Sequence, residues 1–327
     1  MKDIHGLLLK GDSQLEYCTN LETVFSFVPK EHQLLIKVDF APVNPSDFYL
    51  TRGLYHDKKP YPVIPGFELT GTIEGAGSEE DKQFIGKYVV AVVVLPNYGA
   101  YSSYTIVNTK HAIILEEKPD QKTFEYLINP LTAIGLLEAA KNHYSKAIIQ
   151  NGGSTSVAKL IHFYNKEYKF DTIDIVRNLK HKDELLELGA NEVIDSSSDE
   201  FTKNLKEIIA KYKPTSCFDC VAGKQTGDLF NNLPPSSIVF VYGLLDLKPI
   251  EHIDPSQVIF LNKEIKGFHV LHTFVKAGDF RIYSKQVNDA AKHFQQKQGV
   301  KEFNLMDFAK AFDYYPQKQE KLLFKCN

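Results

Sequence analysis

AIIQNGGSTSVAKLIHFY, residues 147–164, is the stretch whose reading decides the fold. Ala147–Asn151 is an apolar run of strand type, and Val157–Tyr168 follows with apolar residues at helical spacing. Between them lie two glycines and three hydroxyl side chains, the composition of a tight turn feeding a helix N-terminus. That order suits the pyrophosphate of a dinucleotide, which needs a tight turn, a close backbone approach and a helix N-terminus aimed at its charge. On the GxGxxG pattern Gly153 takes the first glycine, Thr155 the second and Ala158 the third. Alanine is tolerated at the third place, but Thr155 puts a Cβ where backbone and pyrophosphate should meet. The hydroxyls of Ser154, Thr155 and Ser156 are candidate donors in compensation, with Asn151, Gly153 and Val157 completing the candidate cradle. The plainer alternative is a polar N-cap run that only starts a helix.

Outward from this turn, strand and helix patterns alternate. A strand is expected at Thr172–Arg177, a helix at Lys182–Leu188 and a strand at Glu192–Asp195, then a helix at Phe201–Tyr212 and strands at Cys217–Ala222, Ile238–Tyr242 and Ile265–Phe268. Repeated βα units give a parallel sheet with helices on both faces, an α/β doubly wound domain of Rossmann type. The second strand ends in IVRNLKHK, where NAD-binding chains place an acidic residue on the ribose 2′-hydroxyl. Here stand Arg177, Lys180 and Lys182, and Arg177 is one of only three arginines in the chain. A 2′-phosphate clamp, and so NADPH rather than NADH, is the reading; solvated loop charge is the alternative. Asp174 lies within the strand and does not argue for NADH.

Before about residue 120 the runs Leu34–Phe40, Thr70–Gly75, Tyr88–Val94 and Tyr101–Val107 are short and β-type, separated by Pro and Gly, as in a compact β-rich domain. From Thr123 the period turns helical through Leu127, Leu131, Ile134 and Leu137. Lys321–Lys325 is strand-like again and is expected to return to the first domain. The expected division is 1–122, 123–268 and 269–327, consistent with a 327-residue chain forming two domains. With 43% hydrophobic and 24% charged residues the composition is globular, and a net charge of −3 without a basic stripe argues against nucleic acid or anionic lipid as partner. No apolar run approaches the roughly 20 residues of a membrane span. The N-terminal residues read neither as a secretory signal nor as a transit peptide, so a cytoplasmic address is expected, or a mitochondrial one if a presequence is missing or internal. Cys18, Cys217, Cys220 and Cys326 are scattered and read as free thiols.

Several segments together resemble the medium-chain dehydrogenase/reductase superfamily, in its zinc-free quinone oxidoreductase-like branch. They include VNPSDFYLTRGLY (43–55), YPVIPGFELTGTI (61–73), GAYSSYTIV (99–107), NPLTAIGLLE (129–138), the turn itself, LGANEVIDSSS (188–198), FDCVAG (218–223) and VYGLL (241–245). The turn is also similar to that of 2-enoyl thioester reductases. The resemblance implies a GroES-like catalytic domain made of the N-terminal part plus the C-terminal tail, with the Rossmann domain inserted. Zinc-dependent relatives carry Cys and His ligands where this chain has Asn44 and Phe67, so no zinc is expected. Without a metal another group must protonate or stabilise the developing oxyanion. Tyr55 matches the proton-donating tyrosine of enoyl thioester reductases, and a phenol with pKa of about 10 holds its proton at neutral pH; an aromatic packed in a β-rich core is the alternative. Asn44 and Thr132 match positions that contact the nicotinamide end, and the backbone of Tyr242 and Gly243 is expected alongside it. The activity implied is NADPH-dependent hydride transfer to a quinone or an α,β-unsaturated carbonyl, an enoyl thioester included, by a homodimer. The rival expectation is a catalytically idle member serving as a subunit of a larger complex, motivated by Thr155 and Ser156 in the turn.

Overall fold

The computed structural model describes residues 3–55, 60–116, 118, 127–294, 300–315 and 321–327. The chain divides into two compact units, Met1–Ile128 with Phe274–Asn327, and Asn129–Thr273. The expected boundary at 122/123 and the change of period at Thr123 lie outside the described residues. The second expected boundary, 268/269, compares with a division between Thr273 and Phe274.

In the second unit six strands pair in parallel in the order Glu192–Asp195, Asp171–Val176, Ala147–Asn151, Ser216–Asp219, Ile238–Val241, Glu264–Gly267. Counted within the unit this is 3-2-1-4-5-6, and the order reverses between Ala147–Asn151 and Ser216–Asp219, where doubly wound sheets open a crevice at the carboxyl ends of their strands. All five residues of Ala147–Asn151 are buried, as befits a strand covered on both faces. Ile149, Ile173, Ile175, Leu205, Phe230 and Val239 form the adjoining core. Gly189, with φ 112, stops the helix Lys182–Leu188 in the left-handed conformation that glycine adopts without penalty. Four expected strands change at their ends, Thr172–Arg177 moving one place to Asp171–Val176. Cys217–Ala222 closes at Asp219, because Ala222 has φ 67 and ψ −157 and turns the chain. Ile238–Tyr242 ends at Val241, and Ile265–Phe268 is shifted to Glu264–Gly267.

The first unit holds a seven-stranded sheet, with Val300–Asn304, Lys321–Lys325, Gln33–Pro42, Glu68–Ala76, Tyr88–Val92 and Ala112–Ile114 in spatial order and Tyr104–Asn108 pairing with Gln33–Pro42. Lys321–Lys325 runs antiparallel to Gln33–Pro42 with Leu323 opposite Pro42, which makes the C-terminal segment part of this sheet. Ile36, Val38, Leu69, Val89, Ala91 and Phe324 fill its core. Tyr101–Val107 becomes a strand only from Tyr104, since Tyr101 bonds instead to Pro65 and Leu7 through its backbone. A hairpin-like pair, Gly6–Leu9 and Leu15–Cys18, had no counterpart in the sequence reading. No described helix is long and apolar enough to cross a membrane.

Candidate functional site

The turn after Ala147–Asn151 is shaped by the protein's own packing. Its left-handed residue is Gly152, with φ 60, one place before the first glycine of the motif, and a Cβ there would collide with the Cys220 sulfur. Gly153 donates its N–H to Ile175 O at 2.9 Å, and a Cβ on it would lie 2.7 Å from Asp174 Oδ1. Asp174, fully buried behind the turn, is held by Gln150 Nε2 at 2.8 Å and His162 Nε2 at 2.7 Å. Thr155 is the N-cap of the helix Ser156–Tyr168, its hydroxyl accepting the Ala158 N–H at 3.4 Å. The cap reading of the polar run is therefore true of Thr155. A helix leaves its first N–H groups without intrahelical acceptors, so those of Ser156 and Val157 stay at the positive end of a 13-residue helix. Ser154 is exposed beside them. Two glycine positions closed to any Cβ, a helix start at the sheet's reversal point and no acidic residue in the turn together fit a pyrophosphate.

Asn151 works from inside. Its Nδ2 donates to Asp219 Oδ1 at 2.6 Å and its Oδ1 accepts the Cys220 N–H at 2.8 Å. Asp219, fully buried, also accepts the N–H groups of Val221 and Ala222 at 2.9 and 3.0 Å and the hydroxyl of Thr226. This ties together the two strand ends that flank the crevice. The Tyr242 hydroxyl is buried beside the Cys220 thiol and the Thr155 hydroxyl, without a hydrogen bond of ordinary geometry. Burial pushes the phenol well up and the Cys220 thiol to about 12, so neither ionises near neutrality. A Cβ on Gly243 would sit 2.7 Å from Cys220 O, which puts its backbone against the same loop. Arg177 and Lys180 are exposed just past the second strand, Lys182 is exposed at the next helix start, and Arg177 makes no ion pair among the described residues. Thr132 is 7% exposed on the helix Ile128–Asn142.

In the first unit Asn44 belongs to a second polar cluster. Asn44 caps the helix Pro45–Thr51, a start favoured by Pro45 in the first turn. Its N–H donates to Asp47 Oδ2 at 2.8 Å, while Asp47 Oδ1 accepts the Phe67 N–H at 2.9 Å. The Asn44 side chain, 2% exposed, donates to Glu68 Oε1 at 3.1 Å and accepts from Lys321 Nζ at 2.6 Å. Glu68 Oε2 takes the N–H groups of Leu127 and Ile128 at 3.0 and 2.6 Å. Burial raises the Asp47 carboxyl to about 7 and that of Glu68 above its ordinary value, with backbone N–H donors and the Lys321 charge opposing. Tyr55, half-buried, packs its ring on that of Phe67 with centroids 5.3 Å apart. The geometry thus gathers Asn151, residues 153–157, Tyr242 and Gly243 in one unit and Asn44 and Tyr55 in the other.

Sequence reasoning passed over Asp47, Glu68, Asp219 and Lys321. The first three sit within NPSD, GFE and FDCVAG, where an acidic residue among apolar neighbours was the available signal. Lys321 is 277 positions from Asn44, and no local pattern pairs them. Among the described residues one trio of ligating side chains converges, His32, Glu80 and Asp81, with ligand atoms within 4.8 Å of one another; it shares no residue with either cluster.

Residues 30–117 match the alcohol dehydrogenase GroES-like domain. The sequence is similar to a mitochondrial enoyl-[acyl-carrier-protein] reductase of Arabidopsis thaliana, 29% identical over 247 residues, which span 73% of this chain and 64% of that protein, slightly under two thirds of its length. A quinone oxidoreductase of Sus scrofa is 24% identical over 242 residues, spanning 73% of this chain and 72% of that one. Among solved structures, a candidate NADPH:quinone reductase from Mesorhizobium loti superposes with a TM-score of 0.85 at 25% identity, covering 99% of each chain.

Proposed function

We propose that this chain, which has the fold of the medium-chain dehydrogenases/reductases, is an NADPH-dependent oxidoreductase that passes hydride to a quinone or an α,β-unsaturated carbonyl, enoyl thioesters included, without zinc. The observation that carries the reading is the Thr155-capped helix start at the reversal point of the sheet, followed one strand later by the unpaired Arg177. NADPH would supply the hydride when bound. The N–H groups of Ser156 and Val157 and the hydroxyl of Ser154 bind pyrophosphate, and Arg177 with Lys182 holds the 2′-phosphate. Thr132, Asn44 and the backbone of Tyr242 and Gly243 order the nicotinamide end. Tyr55 Oη donates a proton to the oxyanion that develops on the substrate. Asn44 and Phe67 at the places of metal ligands leave that task to protein groups.

Thermal melting tests the reading: NADPH at 100 times its Kd adds about 2.7 kcal/mol of stability, and Arg177→Ala weakens NADPH far more than NADH. Absence of any shift at millimolar NADPH favours the second reading, an idle subunit of a larger assembly, which rests on the threonine at the second glycine position. The protein is read as a homodimer. In its support, Glu264–Gly267 is an exposed edge strand, next to Ile259 and Phe260 at 70% and 78% exposure. Antiparallel self-pairing about Ile265 would set each Glu264 opposite the other copy's Lys266. Light scattering of an Ile259→Ser/Phe260→Ser variant should report a monomer; an unchanged mass would discard this edge. The compartment is read as cytoplasmic, with the mitochondrion as the alternative for imaging of the tagged full-length protein.

A further inference from the structure

Asp47 and Glu68 are 0% and 1% exposed, and two carboxylates in an interior are costly unless paired and hydrogen-bonded. Most of their partners are dipoles. Asp47 has the N–H groups of Asn44 and Phe67, and Glu68 has those of Leu127 and Ile128 with the amide of Asn44. Among the described residues Lys321 is the cation that acts on both carboxylates. Its ammonium touches neither directly but bonds to Asn44 Oδ1 at 2.6 Å, while Asn44 Nδ2 faces Glu68. An amide can sit either way round, and its orientation follows from its partners. Here a cation on one side and a carboxylate on the other leave one choice. Among the described residues the other ionisable neighbours of Asp47, Tyr101 and Tyr315, are phenols held neutral by burial and contribute no charge.

We propose that Lys321 is a positioning residue: a half-buried counter-cation that fixes the Asn44 amide and, through it, Glu68, so that the C-terminal strand is a working part of the catalytic unit rather than a sheet filler. Only the relevance of Asn44 to turnover rests on the oxidoreductase reading; the charge balance does not.

The test uses the full-length chain as Lys321→Met, Lys321→Arg and the double variant Lys321→Met/Glu68→Gln, melted at pH 5.5 and 8. Without the lysine both carboxyls move further up. A carboxyl whose folded value lies above its unfolded one contributes stability at low pH that is lost as pH rises through the folded value. Lys321→Met should therefore show a Tm deficit at least about twofold larger at pH 8 than at pH 5.5. Adding Glu68→Gln should recover half of it or more, and Lys321→Arg should melt close to the unaltered protein. In turnover with NADPH and an enone, Lys321→Met should lose kcat and Lys321→Arg should restore it. An equal deficit at both pH values that Glu68→Gln does not relieve would reduce Lys321 to a packed stem and overturn the proposal. Should Lys321→Met not fold, the double variant decides: folding supports charge compensation, and failure to fold refutes it. No NADPH turnover by the unaltered protein would sink the oxidoreductase reading alone, because the melting comparison needs no substrate.

Discussion

The turn at 152–157 and the cluster around Glu68 both rest on polar groups held out of water, and they do so differently. At the turn the visible pieces are contiguous, and the cap, Thr155, lies three residues from the N–H it satisfies. Its backing comes from Asn151 and Asp219, which join two strand ends, and from Asp174 behind Gly153. Around Glu68 the pieces come from residues 44–47, 67–68, 127–128 and 321, and the balance of buried charge, rather than backbone shape, decides whether the arrangement holds. A site made by a turn can be recognised from its composition. One made by charge compensation shows itself only when distant segments are brought together.

The sharpest way to break this contrast is at Asp219. Asp219→Ala leaves the Asn151 amide, two backbone N–H groups and the Thr226 hydroxyl without their acceptor; at about 1–3 kcal/mol for each buried unsatisfied group that cannot relax, a loss of roughly 3–5 kcal/mol is expected in urea unfolding. A loss below about 1 kcal/mol would mean that the turn stands without its buried carboxylate. Next comes Gly153→Ala, whose new methyl must displace Asp174. About 1–3 kcal/mol of overpacking is expected, with weaker NADPH binding in calorimetry, whereas Ser154→Ala should leave stability nearly untouched.

The charged cluster is probed by pH. Asp47, raised to about 7, favours the folded state at low pH, and that contribution is lost as pH climbs through 7. Asp47→Asn should accordingly flatten the pH dependence of Tm between pH 5 and 8; an unchanged slope would remove Asp47 from the balance. The smallest effect is expected at Ala222, whose φ of 67 and ψ of −157 belong to a region that glycine tolerates and alanine does not. Ala222→Gly should be neutral or stabilising by up to about 1 kcal/mol, the strain relieved being partly offset by the greater entropy of the unfolded chain.

Much of the α/β domain was legible in the residues. Ala147–Asn151, Lys182–Leu188, Glu192–Asp195 and Phe201–Tyr212 stand where the periodicity put them. At Ala222 a backbone conformation forbidden to most side chains overrode an apolar pattern that would have continued the strand. The glycine motif was legible as a turn but not in its register. Gly152 carries the positive φ, and Gly153 is required because Asp174 fills the space its Cβ would need. Asn44 and Tyr55 were visible as candidates, but not the carboxylates and lysine that surround Asn44, because hydrogen-bond partners far apart in sequence leave no spacing to read.

By itself, the order of apolar and turn residues determined the parallel sheet, the helix that starts at residues 155–157 and the basic residues that follow the second strand, since each of these is set by interactions within a few positions along the chain. Only the tertiary structure decided which polar groups face one another. Asn151 meets Asp219 across two strands, Asp174 backs Gly153, and Lys321 reaches Asn44 across a sheet pairing at the far end of the chain. The reason is physical: burial makes the energy of a charge or a hydrogen bond depend on what lies within a few ångströms in space, and no local stretch of sequence records that distance.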